Sequence, residues 1–78
     1  MIIITGASGG IGNAIAERLT QKGERVIGLV KTIKNNKFDE INCDVSDYSS
    51  VKNAVREIKK LKKPVKAFIN AAGIASMN

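Results

Sequence analysis

The stretch IIITGASGGIGNAIAERL, Ile2 to Leu19, runs from a continuous apolar segment into a cluster of glycines and out again as an amphipathic pattern. Met1 to Thr5 is too short for a helix and reads as a strand buried on both faces of a parallel sheet. From Ile11 the apolar positions Ile11, Ala14, Ile15 and Leu19 recur at three- and four-residue steps, with Glu17, Arg18, Gln21 and Lys22 opposite them. That spacing predicts a helix, which Gly23 ends.

The same alternation continues along the chain. Arg25 to Val30 (RVIGLV) reads as a second buried strand, Lys31 to Lys37 as a polar loop, and Glu40 to Cys43 (EINC) as a short third strand. A second helix is expected after Asp47, a good N-cap residue, with Val51, Ala54, Val55, Ile58 and Leu61 on one face. Lysines crowd its end, where cations suit the helix dipole, and Pro64 is expected to stop it. Val65 to Gly73 (VKAFINAAG) supplies a fourth strand ending in a small-residue loop. This order predicts an α/β fold, a Rossmann-like parallel sheet of about four strands in the order 3-2-1-4 with two main helices. The link from Lys31 to Asp39 is too short for an ordinary crossover helix, so an irregular connection is expected there.

A strand that turns directly into a helix presents unpaired N–H groups and the positive end of the helix dipole, which together suit an anion. Side chains would block that site. Gly6 permits the tight turn off the strand, while Gly10 and Gly12 remove the Cβ atoms that would hold a pyrophosphate from the backbone and the helix from the sheet. The stretch therefore reads as a dinucleotide cradle, with Gly6, Ser8, Gly9, Gly10, Ile11 and Gly12 around the phosphates. The competing reading is a glycine-rich turn that merely joins two elements.

Thr5, Gly6, Gly10 and Gly12 match Thr-Gly-X-X-X-Gly-X-Gly, and two further motifs follow in order: Asp44-Val45 within CDVSD, and NAAG at Asn70 to Gly73. On these residues the chain resembles the N-terminal part of the short-chain dehydrogenase/reductase family. The resemblance implies a nicotinamide-dinucleotide-binding segment of an oxidoreductase. It places Asp44 and Val45 against the adenine, Asn70 as a stabiliser of the central sheet, and Ala71, Ala72 and Gly73 beside the adenine ribose. Asn70 reads equally well as a plain strand cap.

A carboxylate at the end of the second strand binds the ribose 2′-OH of NAD and repels the 2′-phosphate of NADP. The position roughly twenty residues past the glycines holds Val30, followed by Lys31, and no acid stands there. A lysine offers a phosphate a counter-charge, as in the family's NADP-preferring members, so NADP(H) is expected over NAD(H), with Lys31 as the discriminating residue. Gly9 stands where many NADP-preferring members carry a basic residue.

The 78 residues carry ten lysines and three arginines against seven acids, a net charge of +6. Lys59, Lys60, Lys62, Lys63 and Lys66 are expected at the edge of the sheet opposite the cofactor, and no aromatic residues interleave with them to stack on bases, so a nucleic-acid interface is disfavoured. With one cysteine, Cys43, and no histidine, an internal disulfide and a His/Cys metal site are both excluded. Neither a signal peptide nor a membrane span is visible, and a cytoplasmic location is expected.

A chain this short buries only about 60% of its unfolded surface. Its fourth strand is expected to be an open edge with apolar sheet surface beside it, which predicts a homo-oligomer or docking with a missing C-terminal half. Hydride transfer in the family requires Tyr-X-X-X-Lys with a Ser and an Asn, expected beyond the fourth strand. Tyr48 and Lys52 reproduce that spelling ahead of the wrong helix. The expectation is thus an incomplete NAD(P)-binding domain over residues 1–78, truncated and not catalytic alone. The alternatives are a non-catalytic, self-associating α/β interaction module and a small basic nucleic-acid binder.

Overall fold

The isoleucine run forms strand β1 (Ile2–Thr5), and all four of its residues are buried. In the computed structural model, which describes residues 1–7, 9–34 and 37–71, this strand lies between β2 (Val26–Val30) and β4 (Ala67–Asn70), with β3 (Asp39–Asn42) outside β2. The order is β3-β2-β1-β4 and every pairing is parallel. Helix α1 (Gly10–Gln21) joins β1 to β2, and α2 (Tyr48–Lys60) joins β3 to β4. The β1–α1–β2 and β3–α2–β4 crossovers run in opposite directions across the sheet, so right-handed connection puts the helices on opposite faces.

Alternation along the strands divides the core accordingly. Ile2, Ile4, Val26 and Val30 pack on the α1 side with Ala7, Ala16 and Phe38. Ile3, Ile27, Leu29 and Cys43 pack on the α2 side with Ala54. Each fully buried Ile or Val stabilises the fold by about 1.5–3 kcal/mol.

The buried stripe of α1 differs from the expected one. Gly12 and Ala16 are its buried residues, Ile15 and Leu19 are half-buried, and Ile11 and Ala14 are exposed. Small residues four apart let the helix lie close to the sheet, and apolar periodicity underweights them because they carry little hydrophobic surface. The helix ends as expected at Gly23, whose φ is +90°. There the Gly23 N–H donates to the Thr20 carbonyl (3.0 Å) and Glu24 N–H to Leu19 (3.0 Å), a Schellman closure.

Asp47 caps α2, its carboxylate accepting from the Ser49 N–H at 3.1 Å. Pro64 does not terminate this helix. The chain leaves it at Lys62, which takes a left-handed conformation with φ of +53°, and Pro64 follows two residues later. The proline instead disfavours helical backbone at Lys63. Strand β3 begins and ends one residue earlier than expected, although the Cys43 N–H still donates to the Val30 carbonyl at 2.7 Å. No helix interrupts the described residues between β2 and β3. Among the described residues no helix is long and apolar enough to cross a membrane.

Candidate functional site

Because all four strands are parallel, their carboxyl ends share one edge of the sheet. That edge brings together the Gly6–Gly12 elbow after β1, Lys31 after β2, Asp44 and Val45 after β3, and Asn70 and Ala71 at the end of β4. The connections after β1 and β3 leave this edge toward opposite faces of the sheet, the arrangement in which open α/β sheets take ligands in a crevice beyond the strand ends. Ser8, Ala72 and Gly73 lie outside the described residues.

The elbow depends on its glycines in different ways. Gly6 has φ of +68°, in the left-handed region, and its N–H still donates to the Leu29 carbonyl at 3.2 Å. A Cβ on Gly12 would collide with the Gly6 carbonyl oxygen and lie 2.8 Å from the carbonyl carbon, so no side chain fits where α1 crosses the turn. A Cβ on Gly10 would meet nothing within 4 Å. The protein fills the space beside Gly12 and leaves the space beside Gly10 open.

Gly9, the N-cap of α1, makes no side-chain cap, and the first turn contains no acid. The amides opening the helix thus keep the positive end of the dipole without a carboxylate to neutralise it. Glycines without an obstructing Cβ, and a first helical turn that among the described residues has neither a side-chain cap from Gly9 nor an acid, fit a pyrophosphate at this elbow.

Sequence patterns missed part of the support beneath it. Gly28, in the middle of β2, passes under Ala7 and Phe38, and a Cβ there would lie 2.7 Å from the Phe38 ring and 2.8 Å from Ala7 Cβ. A glycine inside a buried strand was the available signal, since it marks close approach of another group.

At the far side of the crevice the Thr5 hydroxyl donates to Asn70 Oδ1 at 2.7 Å, tying the ends of β1 and β4 together. Lys31 is exposed at the end of β2, and its carbonyl accepts from Asn42 Nδ2 at 2.6 Å. Asp44 accepts from the Ser46 hydroxyl at 2.6 Å and the Ser46 N–H at 3.0 Å. These hydrogen bonds, with the Lys31 charge adding to them, hold its carboxyl below the ordinary value.

The lysine-rich segment lies elsewhere. Lys66 precedes β4 at the opposite edge of the sheet, where its N–H donates to the Met1 carbonyl (2.7 Å) and its ammonium pairs with Glu24 (2.9 Å). Tyr48 is 80% exposed on the first turn of α2. With Lys52 it lines a cleft along α2 beside Val51, Val55, Arg56 and Lys59, and none of the elbow residues lines that cleft.

A wider trough of about 660 Å³ opens between α2 and the β1–β4 half of the sheet, lined by Ile3, Val45, Val51, Val55, Val65 and Phe68 among others. Phe68 is 62% exposed within it, and Val55 43%.

The sequence matches the short chain dehydrogenase family over residues 1–78. It is 37% identical over 84 residues to the NADPH-dependent 3-dehydrocapnine reductase of Ornithobacterium rhinotracheale, covering 94% of this chain and 30% of that protein. The fold is similar to that of Thermoplasma acidophilum aldohexose dehydrogenase in ligand-free form, with a TM-score of 0.79 and 39% identity over 88% of this chain and 28% of the other. It is also similar to a short chain dehydrogenase from Leptospira borgpetersenii with bound NAD+, with a TM-score of 0.77 and 27% identity over 88% of this chain and 29% of the other. The chain spans about a third of the length of the curated relatives it matches.

Proposed function

This chain belongs to the short-chain dehydrogenase family, and on that premise we propose that it is an NADP(H)-binding N-terminal segment of an oxidoreductase, not catalytic by itself. The observation carrying the proposal is the elbow, where Gly12 is required by the fold while Gly10 faces open space. The proposed cofactor contacts are Gly6, Ser8, Gly9, Gly10, Ile11 and Gly12 at the phosphates, Asp44 and Val45 at the adenine, and Asn70, Ala71, Ala72 and Gly73 along the ribose side. The nicotinamide cofactor supplies the hydride chemistry. These residues bind and orient it.

The preference for NADP(H) rests on Lys31, with no acid at the end of β2 to compete for the 2′-phosphate. The dehydrocapnine reductase is described as NADPH-dependent and the Leptospira structure carries NAD+, so relatives are found with either cofactor. The proposal of no catalysis by the chain alone rests on Tyr48 and Lys52 being its only Tyr-X-X-X-Lys spelling and lying on α2, ahead of β4, in a cleft that no elbow residue lines.

The proposed location is the cytoplasm. The apolar trough is proposed to be covered by self-association through β4 or by a C-terminal half docking against the same face. Calorimetric titration of the 78-residue chain with NADPH and NADH tests the cofactor proposal. Binding of both, tighter for NADPH, is expected. Binding of neither would favour the second reading, a self-associating α/β module without a dinucleotide, which the exposure of Phe68 and Val55 supports.

A further inference from the structure

Lys31 is the first residue past the end of β2, and the β2–β3 ladder closes just before it, with Val30 opposite Asn42. The next carbonyl, that of Lys31, accepts instead from the Asn42 side chain at 2.6 Å. Two residues back on β3, where a strand returns to the same face, the Glu40 carboxylate accepts from the Lys34 N–H at 3.2 and 3.3 Å. Two side chains of β3 thus hold both ends of the segment from Lys31 to Lys34.

We propose that Asn42 is a positioning residue for cofactor choice: by holding the Lys31 backbone it places that lysine for the 2′-phosphate of NADPH. The inference rests on the NADP(H) reading above. It adds a residue that touches no cofactor atom and acts through Lys31.

The physical argument concerns ordering. A lysine on an untethered loop must lose both backbone and side-chain freedom when it engages a phosphate, whereas one whose carbonyl is fixed loses only the freedom of its stem. Tethering therefore favours the ligand that uses the lysine and is indifferent to the one that does not. NADH lacks the 2′-phosphate and takes no benefit. The residue type matters as well. An amide donates to the carbonyl, whereas a carboxylate would set an acceptor against it and add negative charge beside the phosphate.

The test is a double-mutant cycle on the ratio of NADPH to NADH affinity, using the full chain carrying Asn42→Ala, Lys31→Ala or both, with thermal melts alongside. Asn42→Ala is expected to lower that ratio by about threefold or more and to have no further effect on it once Lys31 is replaced, the signature of residues acting as a unit. A merely structural role would weaken both cofactors equally and persist in the Lys31→Ala background. Either result overturns the inference. Should Asn42→Ala fail to fold, Asn42→Leu, similar in volume at an exposed position, removes the donor and must lower the ratio likewise. Wild-type chain that binds neither cofactor, or both alike, overturns the NADP(H) reading and this inference with it. Wild-type preference for NADPH that survives Asn42→Ala and Asn42→Leu overturns this inference alone.

Discussion

The two faces of the sheet are built from similar strands and one helix each, yet one is closed and the other is not. On the α1 face, the close approach at Gly12 and Ala16 seats the helix against β1 and β2, and Phe38 and Ala71 complete the cover. On the α2 face, Ala54 is the only buried residue of the helix, and a trough of about 660 Å³ runs between α2 and Phe68. Ile3 and Phe68 are register partners on that face, but Ile3 is buried whereas Phe68 is 62% exposed. Alternating apolar residues therefore specify which way a strand faces without specifying that anything covers it. The cover depends on how closely the helix approaches the sheet and on which further residues, such as Phe38 and Ala71, the topology brings to that side.

The sharpest way to break this contrast is at the elbow. Gly12→Val places a branched side chain against the Gly6 carbonyl and is expected to destabilise the chain by about 3 kcal/mol or more, seen as loss of a cooperative thermal melt. Gly10→Ala, where a Cβ meets nothing, should leave the melt within about 0.5 kcal/mol while weakening NADPH binding about tenfold. If Gly10→Ala binds NADPH as tightly as the wild type, the open space is not the phosphate site.

A comparison across the two faces is the next largest. Ile4→Ala on the closed face should cost about 2–5 kcal/mol in urea unfolding. Phe68→Ser on the open face should cost less than about 1 kcal/mol and should reduce any concentration-dependent association seen by sedimentation. Equal costs for the two would mean that a partner fills the trough under the conditions measured.

Thr5→Val removes the hydroxyl that joins β1 to β4 through Asn70. Losing that bond should cost about 1 kcal/mol, appearing as faster amide exchange in β4 than in β2. Exchange unchanged in β4 would place the stability of the open edge elsewhere.

The smallest effect concerns pH. The Asp44 carboxyl titrates below its ordinary value because Ser46 donates two hydrogen bonds to the ionised form, with Lys31 adding its charge. A depressed folded value stabilises the fold at and above the unfolded value of about 3.9, and this contribution is lost as pH falls through the lower folded value. Melting temperatures of wild type and Asp44→Ala should differ at pH 6 and converge toward pH 2. A gap that stays constant over that range would show that the carboxylate charge is not what stabilises the turn.

Much of the fold was legible because its decisive requirements are local. Gly6 and Gly12 mark a turn that leaves no place for a side chain, Gly23 supplies the left-handed residue that closes α1, and Asp47 is the N-cap of α2. Where periodicity misplaced a boundary or a face, the reason was also specific. Ile11 and Ala14 share the helical spacing of Ile15 and Leu19, but the sheet meets the helix on the side of its smallest residues, Gly12 and Ala16. Pro64 looked like the stop of α2 because it cannot continue a helix, yet Lys62 had already turned the chain.

The sequence by itself determined the strand and helix order, the elbow that opens α1, the parallel sheet and the family to which the chain belongs. Each follows from residue type and spacing over a few turns of backbone. Only the tertiary structure decided that Phe38 lies over Gly28, that Asn42 holds the carbonyl of Lys31, that Thr5 reaches Asn70, and that one face is sealed while the other is a trough. These depend on strand register and on which side each crossover passes. Residues far apart in the chain meet only after those long-range choices are made.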